Sequence, residues 1–184
     1  YDVYLEADID APDELVCSDL ISSTCNPGTL ILGTQYSWRV ISWDEHGAMS
    51  TGPVWSFTTN LSPNTPSAPT PEDGAINQSF ETVLGWSGGD PDGDSVTYDV
   101  YFESSDDTPD VLVSGDQTST TFDLDTLDPG TTYYWQIVAT DEHSLSTTGP
   151  VWSFTTTSPP NAPNTPSPLD GASNQPLTVT LNWD

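Results

Sequence analysis

Basic residues are nearly missing from this 184-residue chain, which has no lysine and a single arginine, Arg39. Against them stand 21 aspartates and 7 glutamates, for a formal charge of −27. A polyanion would repel the chain, so nucleic acid is excluded as a partner. Binding to an anionic membrane surface needs clusters of Lys or Arg and is excluded on the same ground. No apolar run approaches the roughly 20 residues that would span a bilayer as a helix. Cations, neutral glycans and the chain itself remain as partners. Such a charge also opposes compaction by self-repulsion, which points to a saline or calcium-containing medium.

Cysteine is scarce too. Cys17 and Cys25 are the only two, and a turn between them would set them opposite each other. A disulfide is expected, with two buried free thiols as the alternative, and a disulfide places the chain outside the reducing cytosol, in an extracellular or cell-surface setting. What the chain does have is seven Trp, seven Tyr and five Phe together with 17 Pro and 13 Gly. That is enough aromatic mass for small cores and enough punctuation for many short strands.

The sequence repeats itself. Tyr1-Asp2-Val3-Tyr4 returns as Tyr98-Asp99-Val100-Tyr101, and Gly52-Pro53-Val54-Trp55-Ser56-Phe57-Thr58-Thr59 returns as residues 149–156, an offset of 97 positions (1 to 98, 52 to 149). Asp44-Glu45-His46 recurs as Asp141-Glu142-His143 and Trp86 as Trp183 at the same spacing. A period this long means whole domains in tandem rather than solenoid units. One period contains apolar or alternating runs near 79–86, 96–103, 109–113, 119–124, 132–140 and 150–156, which is the strand count of a β-sandwich. The expected layout is a partial module over 1–59, a linker over 60–71, a complete module over 72–157, a linker over 158–169, and the first two strands of a further module over 170–184. The linkers are rich in Pro, Ser and Thr and read as extended and semi-stiff. This register leaves two readings open: a window on a longer tandem polypeptide, or a subunit whose last two strands complete the next copy by strand donation. Both give a fibre.

Leu84-Gly85-Trp86, Tyr98-Asp99-Val100-Tyr101, Leu127-Asp128-Pro129-Gly130-Thr131-Thr132-Tyr133-Tyr134-Trp135 and Val151-Trp152-Ser153-Phe154-Thr155-Thr156 together resemble a bacterial or archaeal fibronectin type III repeat. The resemblance covers nearly the whole chain. It implies an all-β fold of tandem immunoglobulin-like sandwiches and a role as spacer or adhesion module. It also implies that Tyr133 is a tyrosine corner bonded back to the backbone, with Tyr36 in that place in the first copy, where Leu32 stands for the proline. Period-two spacing sets Tyr133, Trp135, Ile137 and Ala139 on one core-facing side, with Trp86, Trp152 and Phe154 beside them.

Asp90-Pro91-Asp92-Gly93-Asp94 puts three carboxylates at alternate positions around a glycine, the ligand type a hard cation such as Ca²⁺ requires. The same residues are also ordinary turn formers. The fold would bring Asp141 and Glu142 to that end, so a calcium ion there would bridge two loops and the preceding linker; Asp44 and Glu45 hold the equivalent place in the first copy. His46 and His143 read as solvated polar residues. No nucleophile motif or phosphate loop occurs, so no catalytic residues are expected and the chain is not read as an enzyme. Asn60-Leu61-Ser62 and Asn77-Gln78-Ser79 are glycosylation sequons, and the Ser/Thr/Pro-rich linkers suit a glycan coat. The leading function is a repetitive extracellular scaffold, a stalk or filament that associates with itself. The rival is a glycan-binding or adhesin module that uses outward tyrosines, with Tyr4, Tyr101 and Tyr134 as candidates.

Overall fold

A computed structural model of the chain describes residues 1–104 and 106–184. Among them there is no helix, and none long and apolar enough to cross a membrane. The architecture is all-β.

The N-terminal sheet contains β1 (Asp2–Ala7), β2 (Leu15–Cys17), β3 (Gln35–Trp43), β4 (Met49–Thr51) and β5 (Trp55–Thr58). Its order is β2-β1-β3-β4, and β5 shares with β4 the far edge of β3. Cys17 and Cys25 are joined in a disulfide with Cα atoms 6.2 Å apart, which ties the end of β2 to the segment that follows it.

The central unit is a sandwich. Its strands are β6 (Ser67–Thr70), β7 (Ala75–Gln78), β8 (Val83–Ser87), β9 (Val96–Glu103), β10 (Leu112–Gln117), β11 (Thr121–Asp123), β12 (Thr132–Asp141), β13 (Ser146–Thr148) and β14 (Trp152–Thr156). One layer runs β10-β9-β12-β14-β7, with β13 on β12; the other runs β11-β8-β6. Between them lies one core: Leu84 and Trp86 from β8 against Tyr98, Val100, Tyr133, Trp135, Ile137, Ala139, Trp152 and Phe154. β12 shows why these residues make a strand. Burial alternates along it without a break, with Tyr133, Trp135, Ile137, Ala139 and Asp141 inward and the residues between them half-buried, which is the two-residue period of a pleat with one face on a core.

Strands recur at the sequence offset. β4 is matched by β13 residue for residue, β3 by β12 and β5 by β14 to within one terminal residue. Ser67–Thr70, expected in the linker, instead forms β6 on β8. Pro69 can lie there because β6 is an edge strand, and an edge tolerates a missing donor. Residues 164–184 hold an isolated antiparallel bridge, Ser167 to Asn182, and beside it a pair of backbone bonds between Asn164 and Asp184.

Candidate functional site

The candidate site lies where residues 60–66 meet the loops after β8 and β12. Asp90 begins a turn: Gly93 N–H donates to the Asp90 carbonyl at 3.3 Å, and Asp92 N–H donates to Asp90 Oδ1 at 2.7 Å. Gly93 takes φ +86° to close it, a conformation glycine adopts without the Cβ penalty. The outcome is that ligand oxygens of Asp90, Asp92 and Asp94 all lie within 4.8 Å of one another. Asp90 Oδ2 is buried and meets no hydrogen-bond donor. A buried carboxylate oxygen without a donor is costly unless a cation supplies the missing charge.

Asp94 belongs to a second group as well, with Glu142 and His143. His143 Nε2 stands 3.4 Å from Asp94 Oδ2. Partial desolvation pushes the Asp94 carboxyl above its ordinary value; the adjacent His143 opposes this, and Glu142, Asp90 and Asp92 add to it. The all-oxygen set of three aspartates suits a hard cation, and the imidazole makes the second set mixed. The three aspartates would hold a calcium ion, with further oxygens from water or backbone completing the six to eight that Ca²⁺ takes.

Asp141 stands outside both groups. It ends the inward row of β12 and is buried. Oδ1 accepts the backbone N–H groups of His143 and Leu145 at 2.9 and 2.8 Å, and Oδ2 accepts Asn60 Nδ2 at 2.7 Å. Burial alone would raise its carboxyl, but these hydrogen bonds outweigh burial and hold it below the ordinary value. Asp44, its counterpart, makes the same two backbone bonds, from His46 and Ala48 N–H, and is exposed.

Residues 60–66 are laid onto this end of the sandwich. Besides the Asn60 bond, Leu61 N–H donates to Asp92 Oδ2 at 2.7 Å and Asn64 N–H to the Gly89 carbonyl at 2.9 Å. Pro63 and Pro66 are buried. The same stretch holds the N-terminal sheet: Gly33 N–H donates to the Asn60 carbonyl at 3.0 Å, and the Leu61 side chain fills the space where a Cβ on Gly33 would lie. Two residues thus touch both units.

The remaining predicted residues are scattered. Asn60 is half-buried, and the Nδ2 that a glycan would occupy is the one that donates to Asp141. Asn77 is exposed on β7. Tyr4, Tyr101 and Tyr134 are all half-buried; Tyr4 lies in the N-terminal sheet under the Arg39 guanidinium, 5.2 Å from its ring centre, while the other two lie on the six-stranded layer. Tyr133 accepts a hydrogen bond from Asp128 N–H at 3.0 Å, and Tyr36 accepts one from Ile31 N–H at 3.1 Å. Both corners therefore bond back to the backbone, with or without the proline.

No family model and no curated protein matches the chain. Among solved structures it is similar to the FN1–FN3 domains of chicken CNTN1, at 15% identity and a TM-score of 0.38 over 90% of this chain and 61% of that one. It is also similar to the fibronectin(III)-like modules of Clostridium thermocellum CbhA, at 13% identity and a TM-score of 0.41 over 85% of this chain and 78% of that one. The chain spans less than two thirds of the length of the CNTN1 fragment.

Proposed function

We propose that this chain is a structural segment of an extracellular stalk or filament, in which calcium held by Asp90, Asp92 and Asp94 braces the joint between consecutive sandwich units. The observation that carries this reading is the pair of bonds from Asn60 and Leu61 to Asp141 and Asp92. They convert a Pro-rich connection into a fixed joint, and one of the two acceptors is itself a member of the carboxylate group. An ion there would neutralise part of this group of carboxylates while leaving Leu61 docked. The disulfide and the excess of acid over base suit an oxidising, saline exterior. Cores, strand pairing and joints account for the residues described above without assigning any of them to catalysis.

Thermal unfolding with Ca²⁺ and with chelator, at matched ionic strength, tests the reading. Chelation is expected to lower the unfolding temperature. Asp94 sharpens the test through its sign. Its folded-state pKa is raised, so without a cation its ionised form costs stability, a cost absent below the ordinary value of 3.8 and present once pH has risen through the folded value. Asp94→Asn should therefore raise the unfolding temperature at neutral pH in chelator and lower it in Ca²⁺. An unfolding temperature indifferent to Ca²⁺ would reduce these aspartates to turn residues.

A further inference from the structure

Asn60-Leu61-Ser62 and Asn77-Gln78-Ser79 share one acceptor pattern and meet opposite surroundings. Asn60 is half-buried; its Nδ2 donates to Asp141 Oδ2 at 2.7 Å and its carbonyl accepts Gly33 N–H at 3.0 Å. A sugar on that nitrogen would need the space between Asn60 and Asp141, so the joint would have to open. Asn77 is exposed, and its amide meets no hydrogen-bond partner among the described residues.

The backbone explains the difference. Phe154 faces Ala75 and Thr156 faces Gln78, so β7 takes three steps (75 to 78) where β14 takes two (154 to 156), and the surplus residue bulges. Asn77 absorbs it at φ +57°, a left-handed conformation that asparagine tolerates better than most side chains. Both flanks of the bulge are tied down. Gly74 N–H donates to the Ser153 carbonyl at 2.8 Å, and the Gln78 carbonyl accepts Thr157 N–H at 3.0 Å. Gln78 turns its own amide back to the Ile76 carbonyl at 3.0 Å. The repeat separates what this conformation needs from what it does not. Asn174 has the same φ of +57°, and Gln175 makes the same bond, to the Ser173 carbonyl at 3.2 Å, but Pro176 stands where Ser79 does. The hydroxyl that completes the acceptor pattern is therefore not required by the backbone.

β7 is also an unguarded edge. It is an outer strand of the six-stranded layer, its sequence Ala-Ile-Asn-Gln carries neither charge nor proline, and Ile76 is 67% exposed. The edge strands β6 and β10 hold Pro69 and Asp116, residues of the kind that keep an edge from pairing with another chain.

We propose that Asn77, and not Asn60, carries an N-linked glycan, and that this glycan shields the free edge of β7. In the transfer, Asn77 Nδ2 bonds to C1 of the first sugar and gives up one proton. The bond from C1 to the diphosphate of a polyprenyl-linked oligosaccharide breaks, and the diphosphate leaves with the electron pair. The inference goes beyond the stalk reading and does not depend on calcium.

Incubating the folded full-length chain with an N-oligosaccharyltransferase and a polyprenyl-diphosphate oligosaccharide, followed by peptide mapping, tests the assignment. Occupancy at Asn77 is expected to exceed that at Asn60 by roughly tenfold or more, as exposure of the acceptor dictates. Ser79→Ala, which leaves Asn77 in place, should abolish the product, and Asn60→Gln should keep it. Light scattering, in salt that screens the charge of −27, tests the shielding: the bare chain should associate roughly tenfold more tightly than the glycosylated one. A folded chain left bare at Asn77, or modified as fully at Asn60, overturns the assignment. Equal association of the bare and glycosylated chains overturns the shielding.

Discussion

The N-terminal sheet and the six-stranded layer of the central sandwich share their internal geometry. Trp38 and Trp55 pack with tilted rings at 4.7 Å and Trp135 and Trp152 at 4.6 Å; Tyr36 and Phe57 lie 5.8 Å apart and Tyr133 and Phe154 5.7 Å. What differs is what lies on top. Under β8, Trp135 is fully buried; in the N-terminal sheet, Trp38 is half-buried and its neighbours face an open hollow. Ring spacing within a sheet is therefore set by the strands themselves, through cross-strand pairing, while burial comes from the opposite layer. The two layers contribute separately.

This contrast yields graded expectations. Trp135→Ala should cost about 3–5 kcal/mol, because it opens a void in a closed core. The equivalent Trp38→Ala should cost under about half of that, because Trp38 is only half-buried and already borders a hollow. Denaturant unfolding followed through the sandwich and the N-terminal sheet separately measures both. An effect smaller than that of Trp135→Ala is expected from the disulfide. It closes a separation of eight residues, so its reduction should destabilise the N-terminal sheet by about 2.5 kcal/mol and leave the sandwich transition unmoved. A reductant that shifts both transitions equally would mean that the two units unfold as one.

Much of this fold was legible in the sequence, because its signals are local. The unbroken alternation from Tyr133 to Ala139 marked β12 and its inward face, and the repeat carried that assignment to β3. The same alternation, followed two residues further, reaches Asp141 and explains its burial. Read as part of an acidic cluster, Asp141 looked like an ion ligand; it is an acceptor that holds its own turn and Asn60. β6 was hidden inside a Pro-rich stretch, since composition marks an edge strand and a linker alike. His143 entered the carboxylate group for a reason no local pattern carries: its neighbour Asp94 comes from a loop almost fifty residues earlier in the chain, brought there by the sandwich. Leu181 and Trp183 repeat Leu84 and Trp86, a correspondence readable only by comparing the chain with itself.

Amide hydrogen exchange at Leu61 and Asn64, followed with Ca²⁺ and with chelator, tests the calcium-braced joint most directly. With Ca²⁺ the Leu61 amide, which donates to Asp92, and the Asn64 amide, which donates to the Gly89 carbonyl, are expected to exchange more slowly than with chelator, while β12 and β14 exchange alike in both. Equal exchange of the two amides in both conditions, with β12 and β14 protected, would contradict it.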